Sequence, residues 1–431
     1  MEAEIVEAET ITKVAWTEDL PEPKAPPKDK YLICHILFFL LGIVHILPIS
    51  FLASANNFWL HKFRNVSDTT ESDDNRTALQ SYFSSARSVI NTVPWVLLGI
   101  WNVLYGHRFK MMPKIIVTLI IETTVFAILT AFVEINTDSY QATFFGIALL
   151  SSAVLTAGNV VNIFSSTMLY PKFPHNYMKT CMMGEAASGI VCDILNVISV
   201  AIFSDVNDAA LMYFLIGTFI LAFTLGLLLL VSKMEFFQYC ITSFPEDIKK
   251  KKTTNSDMKV AFKKIWIGIL ILMLVMGAMG STHTSITSLV VSEGSGVWAK
   301  KYFSPVATFL LSDIFLLLGR FASSYIPVKI PEPILCAYSA FNALVFVPAI
   351  IFCNAKPRKH LSVLFPHDWE YALILGLFML GNGYLFNTAI TNIPRKTTKE
   401  ESEVAFNIFN LFVGVAQMIS NPVGLLFVKL L

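Results

Sequence analysis

Charge is scarce in this chain. Only 15% of its 431 residues are Asp, Glu, Lys or Arg, and they nearly cancel to a formal net charge of +1. So small a net charge removes the bulk electrostatic basis for nucleic acid as a partner. Cysteine is sparse too. Six residues, Cys34, Cys181, Cys192, Cys240, Cys336 and Cys353, fall in or at the ends of apolar runs, without the paired spacing that zinc or iron and sulfur need. They read as packing residues, and no metal is expected. The chain has no phosphate-cradling glycine loop and no nucleophile elbow. A primary ATP-driven pump, an enzyme and a bound cofactor are therefore not expected.

What is abundant is apolar sequence. Hydrophobic residues make up 55% of the chain, in repeated runs long enough to cross a hydrocarbon core of about 30 Å at about 1.5 Å per residue. The fold class expected is an all-α polytopic membrane bundle of eleven helices. Spans are placed at 31–54, 84–106, 115–134, 143–168, 180–203, 209–231, 265–291, 304–325, 332–353, 369–391 and 404–428. The first thirty residues are acidic, carry Pro21, Pro23, Pro26 and Pro27, and lack the basic start and apolar core of a signal peptide. Residues 1–30 read as a disordered cytosolic tail, 31–231 as a six-helix half, 232–264 as a lysine-rich cytosolic linker and 265–431 as a five-helix half.

Orientation follows from basic residues. With the N-terminus cytosolic and the C-terminus extracellular, Lys and Arg concentrate in the inside segments, although Lys356, Arg358 and Lys359 fall outside. Two glycosylation sequons, at Asn65 and Asn75, lie in the loop after the first span and require that loop to be lumenal or extracellular. The reading favours the plasma membrane over an endomembrane. A short repeat supports the division into six and five: the second span ends in Gly106-His107-Arg108 and the eighth in Gly319-Arg320.

Ionisable side chains at membrane depth cost about 2.5–3.5 kcal/mol on insertion scales, so they face a cavity or a partner. Asp313 and Arg320 are seven residues apart, which sets them on one stripe of a helix about 10 Å apart. Glu185 in the fifth span could attract an organic cation or hold a proton. Asp193 and Glu122 read as structural. His45 and His283 lie in the first and seventh spans, at corresponding places in the two halves, and packing competes with solute contact for both. Asn159, Asn162, Ser165 and Ser166 make a polar band in the fourth span.

The order Cys353-Asn354, Lys356-Pro357-Arg358, His367-Asp368, then Asn382-Gly383-Tyr384 closely resembles the ninth and tenth spans of the equilibrative nucleoside transporter family. Leu41-Gly42 with Leu47-Pro48, Tyr302-Phe303 with Pro305 and Gly319-Arg320, and Gly184 with Ala187 and Gly189 extend the likeness over nearly the whole chain. The resemblance implies a 6 + 5 major-facilitator-like fold that passes nucleosides, and in some members nucleobases, down their gradient by alternating access. It implies solute contacts from Asp313, Arg320, Phe309, Glu185 and Asn162; Ser50, His45 and His283, in the first and seventh spans, complete the candidate solute contacts. The chain departs from the family pattern in its first span, where Ile49-Ser50 replaces Trp-Asn. In the eighth span Asp313 stands for Asn and Leu316 for Asp. A cation or proton-coupled transporter of the same fold is the alternative, and a non-transporting receptor or scaffold a second one.

Overall fold

The computed structural model describes residues 27–66, 76–105, 109–169, 172–242, 255–283, 285–325 and 330–431. Eleven long helices carry the architecture: α1 Ile33–Ser54, α2 Ala78–Tyr105, α3 Met111–Glu134, α4 Gln141–Leu169, α5 His175–Ile202, α6 Val206–Val231, α7 Asn255–Thr282, α8 Trp298–Tyr325, α9 Glu332–Ile351, α10 Asp368–Thr391 and α11 Lys399–Leu430. Among the described residues no strand forms, only the isolated bridges Val290–Ala355 and Cys353–Phe365.

Ten of these helices are long and apolar enough to cross a membrane. Among the described residues α2 is the eleventh long helix and is not one of these ten. Its first half carries Ser81, Ser84, Ser85, Arg87, Ser88, Asn91 and Thr92, and five of these, Ser81, Ser85, Arg87, Asn91 and Thr92, are buried. The polar face of α2 turns into the bundle while Leu97 and Val93 face outward. Elsewhere the outer surface is apolar: Leu344 is 76% exposed, Leu230 69% and Phe219 67%. In water such a surface would aggregate, whereas in lipid it is the solvent-matched face.

The seventh span differs from expectation at both ends. The helix starts at Asn255, inside the stretch read as linker, and stops at Thr282 rather than near 291. Ser281-Thr282-His283 interrupts the apolar run, and Ser281 and Thr282 return their hydroxyls to the Ala278 carbonyl. Such back-bonding competes with helix propagation. A short helix at Glu235–Thr242 also occupies part of the expected linker. The first part of α8, Trp298–Leu310, is wound as a π-helix around Pro305, a local unwinding that recurs at functional sites.

Apolar side chains of α1–α6 and the short helix after them form one core, with Phe38, Phe51, Phe126 and Phe214 at its centre. Two further cores lie largely among α7–α11. Packing partners repeat six helices apart: α1 with α5 and α2 with α4, then α7 with α11 and α8 with α10. Two crossings depend on glycine. A methyl on Gly42 would collide with the Cys181 carbonyl across the α1–α5 contact, and one on Gly319 would collide with the Leu380 carbonyl between α8 and α10. Gly277, by contrast, meets nothing within 4 Å.

Candidate functional site

Helix α1 carries Pro48, which cannot donate to the carbonyl one turn earlier. Around this point its polar groups engage α5 and α4. His45 Nδ1 lies 2.7 Å from Glu185 Oε1 and its Nε2 lies 2.9 Å from Ser166 Oγ. Ser188 donates to the Ile43 carbonyl at 3.0 Å, Asn196 to the Ser54 carbonyl at 2.6 Å, and Ser54 to the Asp193 carboxylate. The close approach at Gly42 and Gly184 lets these short side chains reach across.

The α8 stripe meets this face. The Asp313 carboxylate packs where Gly189 has no side chain, and a Cβ at Gly189 would occupy its place. Arg320 has Glu185 and Asp313 as its electrostatic neighbours, and its guanidinium stands 5.3 Å from the Phe386 ring centroid. Four of the expected residues, His45, Glu185, Asp313 and Arg320, therefore come together between α1, α5 and α8. The side chain of Arg320 keeps a buried Nε without a hydrogen-bond partner among the described residues, and Asp193 keeps a buried Oδ2. A group of acceptors beside a guanidinium suits a solute rich in hydroxyls.

The other expected residues are placed differently. Phe309 is buried one turn before Asp313, with its carbonyl bonded by Ser312 at 2.7 Å. Asn162 is turned toward α3: its Nδ2 lies 3.2 Å from both Glu122 carboxylate oxygens, and Thr118 donates to its Oδ1. Both polar ends of its amide are thus engaged between α3 and α4. Asn159, one turn earlier, has the unpartnered Oδ1 instead. Ser50 is partly buried on α1. His283 follows the end of α7 with its Nδ1 buried and unpartnered, and Arg87 of α2 is its electrostatic neighbour. Asn65 is exposed, and Asn75 lies outside the described residues, as do Gly106, His107 and Arg108 of the short repeat.

Sequence reasoning missed Arg87. It is a lone arginine on an otherwise neutral helix, 3% exposed, and the membrane cost of charge singles it out once α2 is seen to begin at Ala78 rather than near 84. It also missed a metal-like geometry: ligand atoms of His45, Cys181 and Glu185 lie within 4.8 Å of one another. His45 already directs both ring nitrogens at Glu185 and Ser166, so the hydrogen-bonded arrangement accounts for the group without an ion.

A cavity of about 630 Å³ opens at the bundle end that carries Asn65, lined by Asn56, Asn57, Arg64, Gln80, Lys301 and Tyr213 among others. None of the eight expected solute contacts lines it. Its rim joins the two sets of helices, because Asn56 donates to Ser288 O and Ser304 Oγ, Asn57 to Lys301 O, and Lys301 to Phe203 O. Tyr213 forms the inner limit and has Asp193 and Asp313 as electrostatic neighbours.

The family model described as Nucleoside transporter matches residues 150–252 and 241–419. The chain is 27% identical to equilibrative nucleoside transporter 3 of Rattus norvegicus over 430 residues, covering 94% of this chain and 90% of the relative. It is 24% identical to equilibrative nucleoside transporter 2 of Homo sapiens, covering 94% and 99%. Among solved structures, nucleoside transporter NupG aligns with a TM-score of 0.54 at 11% identity, covering 92% of this chain and 96% of that one. A D-xylose-proton symporter aligns with 0.58 at 12%, covering 92% and 90%. These structural likenesses give the fold, a major-facilitator bundle. The match over most of the sequence, on that fold, shows that the chain belongs to the nucleoside transporter family and is a multi-pass membrane transporter rather than an enzyme.

Proposed function

We propose that the chain carries nucleosides across the bilayer, down their gradient, by alternating exposure of the Glu185, Asp313 and Arg320 group. The observation that carries this is the position of that group: α8 presents it to α5 where two separately cored sets of helices meet. In this reading residues 31–231 and 265–431 are the moving bodies and 232–264 links them. Ribose hydroxyls donate to the carboxylates and accept from the guanidinium. The N-terminus is cytosolic, the C-terminus extracellular, the cavity at the Asn65 end faces outward, Asn65 and Asn75 carry glycans, and the plasma membrane is the site of action. Protein reconstituted in liposomes should show saturable uridine and adenosine uptake that stops at equilibrium. Absence of saturable uptake of either would sink the proposal.

The His45–Glu185 contact of 2.7 Å favours one second reading, proton coupling. A proton shared by these groups could travel with the solute, and an imposed pH gradient would then drive uptake above equilibrium. Uptake indifferent to the gradient rejects it. A cation transporter is not favoured, because the Glu185 carboxylate already has His45 as a partner and Arg320 as a neighbour.

A further inference from the structure

Around the contact between the two sets of helices, one buried polar group mixes carboxylates with a guanidinium, and the other is a guanidinium beside an imidazole. On one side, α5 and α8 bring together the carboxyl groups of Glu185, Asp193 and Asp313 with the Arg320 guanidinium. On another, α2 and the segment after α7 bring together Arg87 and His283. Arg87 reaches the Ile49 carbonyl with one guanidinium nitrogen at a long 3.4 Å, while its Nε is buried with no partner among the described residues. Among the described residues no carboxylate pairs with it. His283 Nδ1 is likewise buried and unpartnered. Ile49 lies between His45 and Ser54 on α1, which sets Arg87 within the depth range spanned by Glu185 and Asp193.

A guanidinium held in a bundle without a full set of acceptors is unstable relative to one that finds them. The solute is the group able to supply them. Ribose hydroxyls both donate and accept, so they cannot discriminate between the two sides. The base edge can. A 6-oxopurine presents O6 and N7 as adjacent acceptors, which a guanidinium binds with two hydrogen bonds, whereas adenine places an amine donor beside N7. The same contrast separates the O4 of uracil from the N4 amine of cytosine.

We propose that Arg87, assisted by His283, is a specificity-determining residue that reads the keto edge of the base, so that the transporter prefers inosine and guanosine to adenosine and uridine to cytidine. This rests on the nucleoside reading above and orients the solute, with the sugar toward α5 and α8 and the base toward α2 and α7.

The test is a competition panel in proteoliposomes: unlabelled inosine, adenosine, purine riboside and cytidine against labelled uridine. Wild type should rank inosine above purine riboside, which lacks a 6-substituent, and both above adenosine, with about a tenfold difference in half-inhibitory concentration between inosine and adenosine. Arg87→Gln should bring that ratio close to one, and Arg87→Lys should keep part of it. The wild-type ranking alone decides the matter should the variants fail to fold. Adenosine competing as well as inosine overturns the proposal while leaving nucleoside transport intact, as does a ratio unchanged in Arg87→Gln. Failure of every nucleoside to enter takes down the transport reading and this one with it.

Discussion

Two sets of polar side chains are buried in the same bundle, and their neighbours treat them differently. Between α3 and α4, Glu122 meets the Asn162 amide through both carboxylate oxygens, and Thr118 completes the Asn162 carbonyl. Around α2, α5, α8 and the end of α7, Arg87, Asp193, His283 and Arg320 each keep a buried polar atom without a partner among the described residues. The chemistry of the residues is alike; the degree of satisfaction is not. A closed network stabilises one packing, and an open one is stable only where something else arrives. Burial of charge alone therefore does not single out the proposed solute site; the second set differs in keeping hydrogen-bond capacity to spare.

The largest test of this contrast is on the open side. Arg320→Ala should lower uridine kcat/KM by about 30-fold or more, since truncating one member of a buried charge group costs about 2–5 kcal/mol. Unchanged initial uptake rates in that variant would erase the distinction. On the closed side, Asn162→Leu removes the donor from Glu122 and should cost about 1–3 kcal/mol of stability. It should appear as a lower Tm in detergent, with the ranking of nucleosides preserved. A changed ranking at an unchanged Tm would invert the comparison.

The smallest effect is expected in water, outside both sets. His367 Nδ1 lies 2.5 Å from Glu293 Oε2, and that carboxylate holds the imidazole pKa above its ordinary value. A raised folded-state value means that the contact is fully present below the unfolded histidine range of about 6.5 and is lost as pH climbs through the higher folded value. Wild type should therefore lose a slight Tm advantage over Glu293→Gln between about pH 6 and pH 8. An advantage that grows with pH would refute the assignment.

The α8 stripe was legible in sequence because charge at membrane depth is costly and Asp313 and Arg320 share a helix face. The partner of that stripe was not. His45 and Glu185 are separated by 140 residues, and only the glycine crossing of α1 and α5 brings them to contact. The partners of Asn162 were not legible either, because its hydrogen bonds to α3 are invisible to a pattern read along α4 alone. Arg87 was hidden by a boundary: a span started near 84 sets it in the first turn, whereas the helix from Ala78 sets it in the third. The end of α7 was overextended because hydropathy averages over Ser281-Thr282-His283, while the backbone responds to those hydroxyls locally.

The loop after α9 has a consequence for how such chains are threaded into membranes. Arg358 directs its guanidinium at the carbonyls of Ile351, Cys353, Ala355, Leu361 and Ser362. A cation wrapped by its own main chain carries its solvation with it, as a chelated ion does. Once folded, its charge is met by main-chain acceptors rather than by water, so the loop can hold it on either side of a bilayer.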